Sequence, residues 1–125
     1  MAASALALAA GPASADTIPV GAERVEGGVF HASDCQAEMS IWHKAVGQYW
    51  AYANTISQAW GVQCKATAYS TDSSQNSSST YWAQYGQGWA KSGGVWDAGN
   101  REAYVCVVAY DLQGNFLGKA CGGKW

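Results

Sequence analysis

The residues with the greatest capacity for chemistry are two histidines, four cysteines and a few carboxylates. His43 follows Glu38 and Asp34 closely enough for an imidazole and a carboxylate to form a general-base pair. No motif places a third group to orient such a pair, and no G-x-S-x-G supplies a nucleophile. His31, Cys35 and His43 have a spacing that could hold a metal. Neither a C-x-x-C nor an H-x-x-x-H pair is present to anchor one, however. "YGQGWAKSGG" is glycine-rich but lacks the lysine-serine ending of a phosphate loop. The sequence therefore reads as non-catalytic, with no metal site and no cofactor.

Recognition chemistry is better represented. "AERVEGGVF" (22–30) carries Arg24 ahead of two glycines, within a segment that shows no hydrophobic period. An extended segment of this kind can lie in a protease-like cleft and pair its backbone with the walls. Its arginine would make charge-assisted hydrogen bonds in an acidic pocket. Arg24, Val25, Glu26, Val29 and Phe30 are the expected contacts with such a partner. The chain also holds seven Trp and seven Tyr. Trp82, Tyr85, Trp89 and Trp96 could form a stacking platform for sugar rings, or they could fill the core of a leucine-poor domain.

The elements that must carry these residues fall into three parts. Residues 1–15, "MAASALALAAGPASA", read as the remnant of a secretory signal ending in the A-x-A pattern, with cleavage expected before Asp16. Residues 16–33 read as an extended, poorly self-packed N-terminal arm. Residues 34–125 read as one globular domain holding all four cysteines. An even count in a secreted chain argues for two disulfides. Cys106 and Cys121 are equidistant from Gln113-Gly114, so they should face each other across a hairpin. Cys35 and Cys64 remain as the second pair.

Trp42, Val46, Tyr49, Ala53, Ile56 and Trp60 recur at intervals of three and four, which predicts a helix. Ser33 with Gln36 would cap it and Gly61 would end it. The aromatic run "QYWAYA" would equally suit a strand. "VQCKATAYS" (62–70), "TYWAQYGQGWA" (80–90) and "EAYVCVVAY" (102–110) read as strands. The last is apolar enough to be a central strand covered on both faces. "NFLGKAC" (115–121) would return beside it, and "TDSSQNSSS" (71–79) reads as a polar loop. The expected architecture is α+β, one helix packed on a small antiparallel sheet with two disulfides; the alternative is an all-β sandwich.

The formal charge of −2, without a basic stripe, excludes nucleic acid as a natural partner. No stretch of the mature chain suits a membrane. In "ALALAAGPASA", "DTIPVGAERVEGGVF" and its four-cysteine domain, the chain resembles the small secreted adaptor subunit of Streptomyces umbrella toxin particles. That resemblance implies an adaptor whose N-terminal extension enters a trypsin-like, lectin-bearing partner. Actinobacterial protease inhibitors are similar in size and cysteine number, although their cysteine spacing and disulfide-flanked reactive loop are not found here. The expected function is a secreted, non-catalytic interaction module. A protease inhibitor and a carbohydrate- or cell-wall-binding module are the alternatives.

Overall fold

The computed structural model describes residues 18–71, 76–97 and 101–125. The expected signal remnant and cleavage site, and part of the 71–79 loop, lie outside them. The described residues contain no helix. The expected α+β architecture is therefore corrected to the all-β alternative.

The strands are β1 (Glu23–Ala32), β2 (Cys35–Ala45), β3 (Gln48–Ser57), β4 (Val62–Thr71), β5 (Asn76–Gln84), β6 (Ala90–Lys91), β7 (Val95–Trp96), β8 (Glu102–Asp111) and β9 (Phe116–Cys121). They form two antiparallel sheets. One has the order β9-β8-β4-β5; the other runs β1-β2-β3-β6, with β7 also pairing with β3.

The expected helix is the β2–β3 hairpin. Its inward positions alternate through Ala37, Met39, Ile41 and His43, then Ala51, Ala53, Thr55 and Ser57, all buried. This period of two is hard to see in sequence because the outward positions are also apolar: Trp42, Trp50, Tyr52 and Ile56. Val46, which the helix reading placed on the apolar face, is 86% exposed in the turn. Gly47 completes that turn at φ 73°, a left-handed conformation that a helix interior does not allow. Ser33 is not a helix cap; it sits at φ 53° in the two-residue turn between β1 and β2.

The strand expectations for 62–70, 102–110 and 115–121 hold as strands. β8 is internal to its sheet, between β9 and β4, but only one of its faces is covered: Tyr104, Val108 and Tyr110 are part-buried on the outer side. The 80–90 segment is a strand only to Gln84, then turns through Gly86 and Gly88 before β6. Asn76–Ser79, expected in a polar loop, are the first residues of edge strand β5.

Both expected disulfides are present, and they do different work. Cys106–Cys121 joins neighbouring strands within one sheet. Cys35–Cys64 joins β2 to β4, and so one sheet to the other, with both cysteines fully buried. The Cα atoms of Cys35 and Cys64 are 5.7 Å apart, and the side chains around the bridge are small. Cys64 is flanked in register by Ala83 and Ala109, and Cys35 by Ala32 and Ser57. Larger residues, including Met39, Ile41, Val95, Val105 and Val107, complete the core.

The segment read as a poorly self-packed arm is corrected as well. Ile18 is buried in the core, and its carbonyl lies 2.7 Å from His43 Nδ1. Gly21 donates to the His43 carbonyl, and the His43 amide donates to Ala22. β1 then pairs with β2 along most of its length.

Two outcomes test this packing. Ala66→Leu adds volume where none is free, and it should destabilise the fold by about 1–3 kcal/mol in urea unfolding. Limited reduction followed by alkylation and peptide mapping should label Cys106 and Cys121 first. Cys121 is exposed, whereas neither sulfur of the inter-sheet bridge can be reached in the folded state.

Candidate functional site

Because alanine lines the interior, most of the large aromatic residues stand on the outside. They do not form the single platform expected from Trp82, Tyr85, Trp89 and Trp96. Trp82 points outward from the four-stranded sheet, where its ring lies 5.5 Å from Tyr110, and Tyr110 meets Phe116 edge-on. Tyr69 and Tyr104 stack at 4.9 Å on the same face. Trp96 belongs to the opposite sheet, Trp89 precedes β6, and Tyr85 lies in the turn after β5. All four expected residues are substantially exposed, so they do not fill the core.

The outer face of the five-stranded sheet is the more elaborate of the two. Its register sets Glu23, Trp42, Trp50 and Trp96 in one row. Trp50 and Trp96 meet edge-to-face at 5.4 Å, and the buried Trp50 Nε1 has no acceptor among the described residues. The next row holds Val25, Ser40 and Tyr52, and the one after it Glu38, Asn54 and Lys91.

Lys91 crosses this face. Its Nζ lies 4.3 Å from the centre of the Tyr52 ring and donates to both Glu23 oxygens, at 2.8 and 2.6 Å. The pair links the two edges of the sheet, β6 and β1. Partial burial opposes ionisation of Glu23, but hydrogen bonds from Lys91 and Ser40 outweigh it and hold the carboxyl below its ordinary range. Asn54 donates to Ser40 Oγ at 3.1 Å. Gly94 lets the β6–β7 link press against Tyr52, since a Cβ there would lie 2.9 Å from the ring. Together these groups border an open groove of about 450 Å³ running from Glu23 and Glu38 to Trp89.

Sequence reasoning did not select Tyr52, Asn54, Glu38 or Lys91 for this face. Their alternation along β3 and their pairing with β2 were hidden by the helix reading.

The other expected contacts are dispersed. Arg24 Nε donates to Glu26 at 2.7 Å along edge strand β1. Val25 is on the outer face, Val29 is exposed in the register shift between Glu26 and Phe30, and Phe30 packs against the core and Gly122. His43 and Glu38 are on opposite faces of β2, so they cannot form a general-base pair. His43 stacks on Tyr49 at 4.3 Å, with its Nε2 buried and unpartnered among the described residues. His31 lies 3.0 Å from Gln36, and Cys35 is bridged to Cys64. No group of three potential metal ligands occurs among the described residues. No described helix is long and apolar enough to cross a membrane.

Comparison with protein-family models, with curated proteins and with solved structures finds no match.

Asp97, directly after the aromatic row, is 2% exposed, with Oδ2 unpartnered among the described residues. Burial pushes its carboxyl up to about 7; Arg101 opposes the rise and Glu102 adds to it. Between about pH 4 and 7 an unfolded chain would lose this proton while the folded chain keeps it. Stability should therefore fall as pH rises through that window and level off above it. Asp97→Asn should remove this slope and raise the melting temperature at pH 8, as read by thermal unfolding across pH.

Proposed function

We propose that the chain is a secreted, non-catalytic binding protein whose recognition surface is the outer face of its five-stranded sheet. The observation that carries this reading is the inversion of residue size: alanine inside, tryptophan and tyrosine outside. Trp and Tyr give large, rigid contact surfaces at low cost in side-chain entropy, which is why they dominate binding hot spots. Contiguous exposed aromatic surface is unusual on a monomeric protein without a partner. Two disulfides are compatible with an oxidising, extracellular setting.

The adaptor-like reading, with a trypsin-like protein partner within a secreted antibacterial complex, takes a specific form on this fold. Among the described residues β1 is an edge strand, paired with β2 alone. A protein partner would add its own strand along that edge. Arg24, Val25 and Val29 would then be met along the sheet margin rather than at the tip of a free arm. An inhibitor-like role would use the same edge.

Surface variants separate these possibilities. Trp96→Ala should leave the fold intact, because the side chain is partly exposed, and should weaken retention of the native extracellular partner at least tenfold in biolayer measurements. Trp82→Ala on the opposite sheet should bind like wild type. Arg24→Ala should weaken binding only if the β1 edge contributes. Undiminished binding by folded Trp96→Ala would overturn the assignment of this face.

A further inference from the structure

We propose that the groove beside Lys91 is a binding site for a neutral oligosaccharide. Its ring faces would stack on Trp89 and Trp96, and its hydroxyls would be held by Glu38, Asn54 and Lys91. This rests on the outer face of the five-stranded sheet being the recognition surface.

The lining has the two components a sugar requires. A pyranose presents C–H groups on its ring faces and hydroxyls around its rim. Trp89 lines the groove, and Trp96 stands outside its lining, past the Tyr52 row on the same sheet face; they are 48% and 37% exposed, so indole surface is available to the ring faces. The groove also presents a carboxylate that accepts, an amide that both donates and accepts, a hydroxyl and an ammonium. A vicinal pair of hydroxyls can donate to Glu38 while accepting from Asn54. Lys91 has three N–H donors, and its bonds to Glu23 leave one for a ligand.

Charge selects a neutral ligand. Lys91 is already matched by Glu23. An anion would meet Glu23 and Glu38, and a cation would meet Lys91. Neither gains what an uncharged hydroxyl-rich chain gains. Shape selects an extended one. The groove is open and about 450 Å³, in the range of ligand sites. Along β3, Asn54 and Trp50 are four residues apart, roughly 13 Å, so a chain held at Asn54 can reach the Trp50–Trp96 pair.

The site is also ordered before binding. The Lys91–Glu23 pair, the cation over Tyr52 and the Asn54–Ser40 hydrogen bond fix Lys91 and Asn54 in place. These two side chains have little freedom left to lose on binding.

The test is a titration of the intact protein with neutral hexasaccharides of β-linked glucose, mannose and N-acetylglucosamine, followed by tryptophan fluorescence and calorimetry. At least one should bind saturably, with an affinity that changes less than twofold between 50 and 500 mM salt. Trp89→Ala and Asn54→Ala should each weaken binding at least tenfold, and Trp82→Ala should leave it unchanged. Far-UV circular dichroism checks that each variant is folded; if Asn54→Ala is not, Trp89→Ala decides alone. Absence of binding to all three sugars, equal binding by folded Trp89→Ala, or steep salt dependence would overturn the proposal. If no sugar binds while Trp96→Ala still abolishes retention of a protein partner, the sheet face remains the recognition surface and only its sugar assignment fails.

Discussion

The bridge between Cys35 and Cys64 is the constraint around which the molecule is arranged. It ties one sheet to the other through two fully buried cysteines, and its register neighbours are small. A core lined largely with alanine buries little apolar area per residue, so it contributes little hydrophobic stabilisation. The two covalent links offset this by restricting the unfolded chain, each by about 3–4 kcal/mol in loop-closure terms.

Most of the aromatic residues stand apart from this core. Their rings project from the outer faces, where cross-strand neighbours meet them, while Tyr49 and Trp125 pack against the margin of the core. Trp50 with Trp96, and Tyr69 with Tyr104, are pairs of this kind. The inner strands β2 and β3 are each hydrogen-bonded on both sides and hold the edge strands β1 and β6 at a set separation. The Lys91–Glu23 link spans the sheet between those edges.

The N-terminal segment belongs to this scheme. Ile18 fills a place in the core, His43 anchors the backbone beside it, and β1 completes the sheet. Without β1, Glu23 would be missing from the groove, and Lys91 would lose its ion-pair partner.

Local chemistry was legible in the sequence. The β8–β9 hairpin and its cysteine pair followed from symmetry about Gln113-Gly114. The register agrees from Cys106–Cys121 to Ala109–Gly118 and shifts only near Phe116. Strand β4 announced itself by alternation, and the remaining cysteines could pair in only one way once the first two were joined. The β2–β3 hairpin was not legible, because apolar residues on both of its faces erase the period of two and leave a chance helical spacing. The groove was not legible for a related reason. Glu23, Asn54 and Lys91 are far apart in sequence and lie together only because β1, β2, β3 and β6 are neighbours in one sheet. Composition established that many aromatic residues need a place. Only the strand pairing decided that this place is the outside, because it turns the small residues of each strand inward and their aromatic neighbours outward.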